Sequence, residues 1–208
     1  MDMSPRHYTP AEAAAVSGVA VKAVHNAIDK HIIVPVDARL YGKKRRLGDE
    51  ALLRLKLWYG VGATLTSARR ERLFDEIKAA PTANSVRADD LLIIDVAEAR
   101  RQIQTKIRML DEAEAAVRAS KDVLGGVPVF KGTRIPVRLV ASMIAQGAST
   151  EEILSGYPKL DTHLLELAQI WVTAHPVVGR PAKLPEDAYI LKSSRRVRLE
   201  GLGADDTE

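Results

Sequence analysis

The sequence predicts a mainly α-helical protein with an N-terminal winged helix-turn-helix, a long connecting helix, a small C-terminal three-helix domain of helix-turn-helix type with short strands, and an extended tail. Three observations predict this fold class. Apolar residues recur at helical spacing over most of the chain, capping signals open several of these segments, and Pro and Gly interrupt the last part. The expected domains are residues 1–80, 81–122, 123–176 and 177–208.

The composition of the 208-residue chain excludes several classes of protein. Hydrophobic residues make up 46% of it, which is enough for a buried core. Without a cysteine, the chain has no disulfide framework, no cysteine-based zinc site and no thiol nucleophile. No apolar run approaches the roughly 18 residues that span a bilayer, and the N-terminus lacks the apolar region of a signal peptide. We therefore expect a cytoplasmic protein without a membrane role.

The beginning of the chain predicts a helix, a tight turn and a second helix. Thr9 and Glu12 are spaced as in a capping box, so a helix starts there and runs to about Val16. Gly18 supplies the turn, because glycine tolerates a positive φ. A second helix is expected over residues 20–31. Its apolar face consists of three residues: Val21, Val24 and Ile28.

The residues after the second helix predict a wing and two further helices. Two short extended runs, over residues 32–36 and 39–47, flank a loop and are typical of a wing-like hairpin. A helix capped by Gly48 or Asp49 follows, and another is expected over residues 67–79. Together these elements complete the first domain.

The charge distribution of this domain favours nucleic acid as a partner. The first 78 residues contain 14 Lys and Arg against 9 Asp and Glu, within a chain of net charge +4. The second helix of a helix-turn-helix enters the major groove, and four of its polar residues are candidates for DNA contact: Lys22, His25, Asn26 and Lys30. The wing adds four cations that would neutralise phosphates: Lys43, Lys44, Arg45 and Arg46. A solvated helix face and an ordinary basic surface are the alternatives.

The middle of the chain predicts a connector. A turn-rich linker is expected over residues 81–87, a short strand over 91–94, and a long helix from Val96 to about Ser120. The apolar stripe of this helix is narrow and close to coiled-coil spacing, which predicts that the helix dimerises or connects domains.

The domain expected over residues 123–176, which we call the rear domain, is predicted to contain short strands around turns and then three helices. Pro136 begins the first helix, Ser149 and Glu152 form a capping box for the second, and Asp161 caps the last.

The last helix, which is expected to run to His175, is apolar and contains no Lys or Arg. It is therefore either core or a protein contact, and not a phosphate-binding helix. Arg134 and Arg138 are better candidates for anion contact in this domain.

The sequence lacks enzyme signatures. Asp161, His163 and His175 do not follow a metal-ligand spacing such as HExxH. The glycines at 125–126 and 132 lack the residues that complete a phosphate loop or a dinucleotide motif. We therefore expect no enzyme, no cofactor and no metal.

Part of the rear domain resembles a known family. Residues 124–137, which read LGGVPVFKGTRIPV, closely resemble the domain-of-unknown-function family 433, and residues 146–160 continue its pattern of a glycine-ended helix, a capped short helix and a Tyr-Pro stop. Residues 8–59 also resemble a MerR-like winged helix. Family members with an added N-terminal helix-turn-helix and a basic tail resemble VapB-type antitoxins, whose partners are PIN-type toxin ribonucleases.

The resemblance implies an antitoxin of a type II toxin–antitoxin system. Such a protein would repress its own operon as a homodimer on operator DNA and neutralise a PIN-like ribonuclease toxin with its tail. The tail residues expected to contact the acidic site of the toxin are Tyr189, Ile190, Leu191, Arg195, Arg196 and Arg198. A disordered tail is the alternative for this segment. Two other functions compete with this one: a stand-alone DNA-binding transcriptional regulator whose rear domain senses a ligand, and an enzyme such as a nuclease.

Overall fold

The structure, a computed structural model, describes residues 6–36 and 45–177. This part of the chain is mainly helical, which confirms the predicted α class. It contains eight α-helices: α1 (Pro10–Ser17), α2 (Val21–Asp29), α3 (Asp49–Tyr59), α4 (Ser67–Ala79), α5 (Val96–Ala116), α6 (Val137–Ala145), α7 (Thr150–Gly156) and α8 (Thr162–Ala174). No helix in the described part of the chain is long and apolar enough to span a membrane.

Two small antiparallel sheets complete the described fold. The first pairs β1 (Ser85–Arg87) with β2 (Ile93–Asp95), and the second pairs β3 (Val117–Arg118) with β4 (Val129–Phe130). Single 3₁₀ turns cover two further segments: Val61–Thr64 and Leu124–Gly126.

The predicted start of α1 is confirmed. The Thr9 hydroxyl accepts the Glu12 amide N–H at 3.2 Å, and the Glu12 carboxylate accepts the Thr9 amide N–H at 2.7 Å, so both halves of the capping box form. Gly18 follows α1 with a φ of 73°, a conformation that glycine adopts without the strain of a side chain. The chain therefore turns sharply and enters α2 at Val21.

Contacts hold both ends of the segment that follows α2. The Val36 amide N–H donates to the Arg46 carbonyl at 2.7 Å. Tyr8 and Leu47 form an antiparallel bridge with hydrogen bonds of 2.8 and 2.9 Å, and both residues are buried. Residues 37–44, which contain much of the predicted wing, lie outside the described residues. The structure thus describes the residues that flank this segment, and the wing itself stays a prediction.

The predicted linker over residues 81–87 contains a strand. Residues 85–87 form β1 and pair with β2, so the prediction of a plain linker was wrong, whereas the strand expected over 91–94 is present and runs over Ile93–Asp95. The Asp89 carboxylate accepts the Leu91 amide N–H at 2.9 Å, which turns the chain before β2 begins. Leu91 consequently lies outside the strand and is 98% exposed.

Helix α5 ends before the predicted Ser120, because Val117 leaves the helix and pairs with Phe130 between β3 and β4. Its apolar stripe packs against other helices of the same chain, above all α1, α3 and α8. The buried members of the stripe are Val96, Ala99, Ile103, Leu110 and Ala113. The stripe is therefore core, and the homodimer expected from the sequence would need a different surface.

Helix α8 lies at the centre of the main core, between α1, α5 and α6. Its buried residues are Leu165, Leu167, Ala168, Ile170, Trp171 and Ala174. Of the two interpretations of this helix, core is the one that the structure shows. Core packing runs across the predicted boundaries at residues 80 and 122, and Met1–Pro176 form one compact unit.

Candidate nucleic-acid interface

The outer side of α2 carries the four residues that the sequence predicts for DNA contact. Lys22, His25 and Asn26 are exposed on the helix, and Lys30 is exposed at its C-terminal cap. Spacings of three and four residues place these side chains on one side of a helix. The opposite side is buried and consists of Val24, Ala27 and Ile28. The four predicted residues therefore form one polar surface, which we call the reading face.

Two side-chain hydrogen bonds fix the helices behind the reading face. Tyr59 Oη, at the end of α3, donates to the Ala23 carbonyl of α2 at 2.9 Å. Burial raises the pKa of Tyr59, so its hydroxyl stays protonated and donates. Ser17 Oγ, which is buried, donates to the Leu52 carbonyl of α3 at 3.3 Å. The partners are 36 and 35 residues apart in the sequence, and for that reason no local pattern predicted these contacts.

Two of the predicted wing cations form ion pairs within the chain. Arg45 donates to the Asp29 carboxylate at 3.0 Å, and Asp29 is exposed on α2 beside the reading face. Arg46 lies 3.7 Å from the Glu12 carboxylate. The pair of Arg45 and Asp29 is exposed, and pairs of this kind contribute about 1 kcal/mol or less, so a phosphate can replace the Asp29 carboxylate. The other two wing cations lie outside the described residues: Lys43 and Lys44.

The two arginines predicted for anion contact in the rear domain have different surroundings. Arg138 donates to the His175 carbonyl, and its guanidinium lies 5.2 Å from the centre of the Trp171 ring. It joins α6 to the end of α8 and is a structural residue, so its prediction as an anion contact is not supported by its surroundings. Arg134 is exposed in the turn after β4 and makes no ion pair with any described residue.

The histidines near α8 have structural surroundings. Asp161 caps α8 by accepting a backbone N–H of its first turn at 2.8 Å. His163 lies 2.8 Å from the Glu112 carboxylate, and the His175 ring stacks on Trp171 with ring centres 4.6 Å apart. Within the described ranges, no group of three or more His, Asp or Glu side chains is arranged to hold a metal ion.

A cavity of about 640 Å³ lies between α3, α4 and α5. Its apolar wall consists of Leu53, Leu57, Phe74, Ile77 and Ile103. Two arginines also line it. The Arg54 guanidinium lies 4.5 Å from the centre of the Phe74 ring, and Arg100 donates to the Ala83 carbonyl at 2.6 Å. The sequence did not indicate this cavity, because it forms only where α3, α4 and α5 pack against one another.

Comparisons with known proteins place the chain in a family. Residues 117–170 match the family described as a protein of unknown function (DUF433), which confirms the resemblance of residues 124–137 and 146–160 to family 433. The chain is also 32% identical over 209 residues to "Uncharacterized protein y4eO" of Sinorhizobium fredii, and the alignment covers 92% of this chain and 93% of that protein. No solved structure matches the chain. The chain therefore belongs to the same family as y4eO, and its residues 117–170 form a DUF433 domain.

Proposed function

We propose that this chain is the cytoplasmic antitoxin of a type II toxin–antitoxin system, which represses its own operon by binding DNA and neutralises a PIN-like ribonuclease with its tail. The reading face of α2 is the observation that carries the DNA-binding half of the proposal. A homodimer is part of the proposal, since a two-fold symmetric protein matches the two half-sites of a palindromic operator. We assign no catalytic role to the chain.

The arrangement of the first helices supports a winged helix-turn-helix, with α2 as the DNA-reading helix and the segment after it as the wing. The second helix of such a motif enters the major groove, which is about 12 Å wide. An α-helix with its side chains is about 10–12 Å across, which suits the width of the groove, and the nine residues of α2 give it a length of about 13 Å. Asn26 is placed to bind adenine through its amide, while Lys22 and Lys30 suit phosphate or guanine.

The variant Asn26→Ala tests the base-reading role. We expect it to bind DNA from upstream of its own coding sequence about 5-fold to 150-fold more weakly, which corresponds to the about 1–3 kcal/mol of one bidentate base contact. Its affinity for a scrambled duplex should hardly change, because the phosphate contacts remain. Gln102→Ala removes an exposed amide from α5 and is the matched control. Unchanged affinity of Asn26→Ala for the upstream DNA, measured by fluorescence anisotropy, would contradict the proposal.

The sequence of the tail supports the antitoxin half of the proposal. Its six predicted toxin contacts lie outside the described residues: Tyr189, Ile190, Leu191, Arg195, Arg196 and Arg198. Three neighbouring aromatic and aliphatic residues offer an anchor, and the arginines offer charge-assisted donors to the carboxylates of a metal-dependent nuclease. A segment of this kind binds by folding onto its partner.

Co-expression with the protein encoded by the neighbouring reading frame tests this half. We expect the full-length chain to co-elute with that protein in size-exclusion chromatography and to suppress its ribonuclease activity. A variant in which Arg195, Arg196 and Arg198 are all changed to Ala should lose both properties, whereas its DNA affinity should stay close to that of the wild type. A neighbour that neither co-elutes nor cleaves RNA would remove the support for an antitoxin.

The cavity between α3, α4 and α5 favours a second candidate, a stand-alone transcriptional regulator that senses a small molecule. Its volume of about 640 Å³ falls in the range of small-molecule sites, about 300–1,000 Å³. A ligand there would contact α3, which holds α2 through Tyr59. From the sequence we expected ligand sensing in the rear domain, whereas this cavity lies between α3, α4 and α5. A chain that binds its upstream DNA and has no co-eluting protein partner would favour this candidate over the antitoxin.

A further inference from the structure

The DUF433 domain begins with three short extended segments that lie side by side: β3, β4 and residues 135–136. β3 pairs with β4 in a register that sets Val117 opposite Phe130 and Arg118 opposite Val129. The chain then turns back, so that the Phe130 amide N–H donates to the Ile135 carbonyl at 3.1 Å. The four residues from 131 to 134 form the loop between this closing pair, and Gly132 within it has a φ of 73°. Both ends of the loop are therefore held close together.

This register collects three cations at one end of the sheet. The Lys131 amide N–H donates to the Ala116 carbonyl at 2.9 Å, which continues the β3–β4 register by one residue. Lys131 and Arg118 are consequently diagonal neighbours on one face, where Cα atoms lie about 7–8 Å apart. Arg134 is the last residue of the loop that Lys131 begins. We call these three residues, all of them exposed, the hairpin cations.

The hairpin cations have no ion-pair partner in the described part of the chain. None of the three forms an ion pair or a side-chain hydrogen bond there, although several other arginines do. Neighbouring like charges on a sheet repel one another and destabilise it. The amide N–H groups of Gly132 and Arg134 also donate to no described acceptor, and both residues are exposed. The loop and the adjacent β3 therefore present three positive charges and two free backbone donors in one place.

We propose that the hairpin cations bind the phosphate backbone of duplex DNA. This inference rests on the proposed function and adds a second DNA contact to it, inside the DUF433 domain. Arg, Lys and backbone N–H groups are the donors that proteins use toward phosphate oxygens. The cluster contains no Asn or Gln, whose amides bind adenine, and no aromatic anchor of the kind that dominates protein interfaces. Arg and Lys also bind guanine, but this cluster combines its cations with free backbone N–H groups, which are donors to phosphate oxygens, so we assign it affinity that is independent of DNA sequence and sensitive to salt.

A charge-removal variant of the full-length chain tests the inference. Arg118, Lys131 and Arg134 are changed together to Ala, and anisotropy is measured with the upstream DNA and with a scrambled duplex over a series of salt concentrations. We expect the affinity for both duplexes to fall by a similar factor of at least 10, and the slope of log K against log salt to become shallower by about 2 to 3. Because all three side chains are exposed and unpaired, the melting temperature should stay the same or rise.

Two further variants serve as controls. Changing Arg87, Arg108 and Lys159 to Ala removes the same charge from exposed positions outside the cluster and should leave the slope unchanged. Keeping the charge with Arg118→Lys and Arg134→Lys should retain most of the affinity.

The possible results separate this inference from the proposed function. If the charge-removal variant binds like the wild type while Asn26→Ala is impaired, the inference is overturned and the proposed function stands. A wild-type chain that binds neither duplex overturns both. If the charge-removal variant retains DNA binding but no longer co-elutes with the neighbouring protein, the hairpin cations bind an acidic protein surface and their assignment to DNA is overturned. If the control variant loses as much DNA affinity as the charge-removal variant, the loss is a general effect of net charge and the assignment is also overturned.

Discussion

The Tyr59 hydroxyl of α3 donates a hydrogen bond of 2.9 Å to the Ala23 carbonyl of α2. This contact joins the candidate reading helix to a helix that follows the predicted wing. Ala23 lies next to Lys22, so the orientation of the reading face depends on a side chain that itself does not belong to that face.

Removing the hydroxyl should loosen α2. For Tyr59→Phe we expect a loss of about 1 kcal/mol in the free energy of unfolding, the usual contribution of one hydrogen bond, and a weaker affinity for the upstream DNA. Chemical denaturation and anisotropy measure the two effects. Tyr157→Phe, which removes a hydroxyl without a described hydrogen-bond partner, is the matched control. If both variants behave like the wild type, Tyr59 does not position α2.

The ion pair between Arg45 and Asp29 should weaken DNA binding for two reasons. Asp29 places a negative charge beside the reading face, and it binds a wing cation that would otherwise contact phosphate. For Asp29→Asn we expect a several-fold higher affinity for both the upstream and the scrambled duplex at low salt. The free energy of unfolding should change by no more than about 0.5 kcal/mol, as for most exposed pairs. Asp75→Asn removes the same charge from an exposed position on α4 and controls for net charge. An unchanged or lower affinity of Asp29→Asn would speak against the reading face.

The buried apolar stripe of α5 should stabilise the fold of the single chain and should not contribute to a dimer interface. Leu110 is 0% exposed, and Leu110→Ala should cost about 2–5 kcal/mol through lost burial and a cavity. Leu91→Ala, at a 98% exposed position, should cost less than about 0.5 kcal/mol. Denaturation at several protein concentrations measures both. A loss in Leu110→Ala that depends on protein concentration would indicate a dimer seam instead.

Tyr8 should make the fold sensitive to alkali. Burial, and then the neighbouring Asp49 carboxylate, raise the pKa of Tyr8 from 10.0 to about 12. A raised pKa in the folded state means that the protonated form is favoured there, so this contribution to stability is complete below pH 10 and is lost as the pH rises toward 12. The wild type should therefore lose more stability than Tyr8→Phe between about pH 9 and about pH 11.5. If the wild type and Tyr8→Phe lose the same amount of stability over this pH range, groups other than Tyr8 cause the sensitivity to alkali.

Local signals in the sequence predicted the helices well. Thr9, Ser149 and Asp161 each cap the helix that their spacing indicated, because a capping side chain contacts a backbone N–H only three residues away. The strand β1 was missed, since three residues in a turn-rich stretch become a strand only when β2 supplies a partner. The end of α5 was misplaced for the same reason, because Val117 pairs with a residue of β4.

For the candidate site, too, the sequence predicted local features and missed contacts between distant parts of the chain. Helical periodicity predicted that Lys22, His25, Asn26 and Lys30 share an exposed face, and that face depends only on α2. Periodicity gives no information about tertiary contacts, so the pairing of Arg45 with Asp29 and the support from Tyr59 were not predicted. The hairpin cations were found only in part, since Arg134 was singled out while Arg118 and Lys131 join it through the register of β3 and β4.

A titration of full-length wild-type protein with two duplexes of equal length, one taken from upstream of its coding sequence and one scrambled, tests the central claim most directly. At one fixed salt concentration, we expect the upstream duplex to bind at least about 1,000-fold more tightly, as specific operators do. Equal affinity for the two duplexes would show that α2 reads no sequence and would contradict the account.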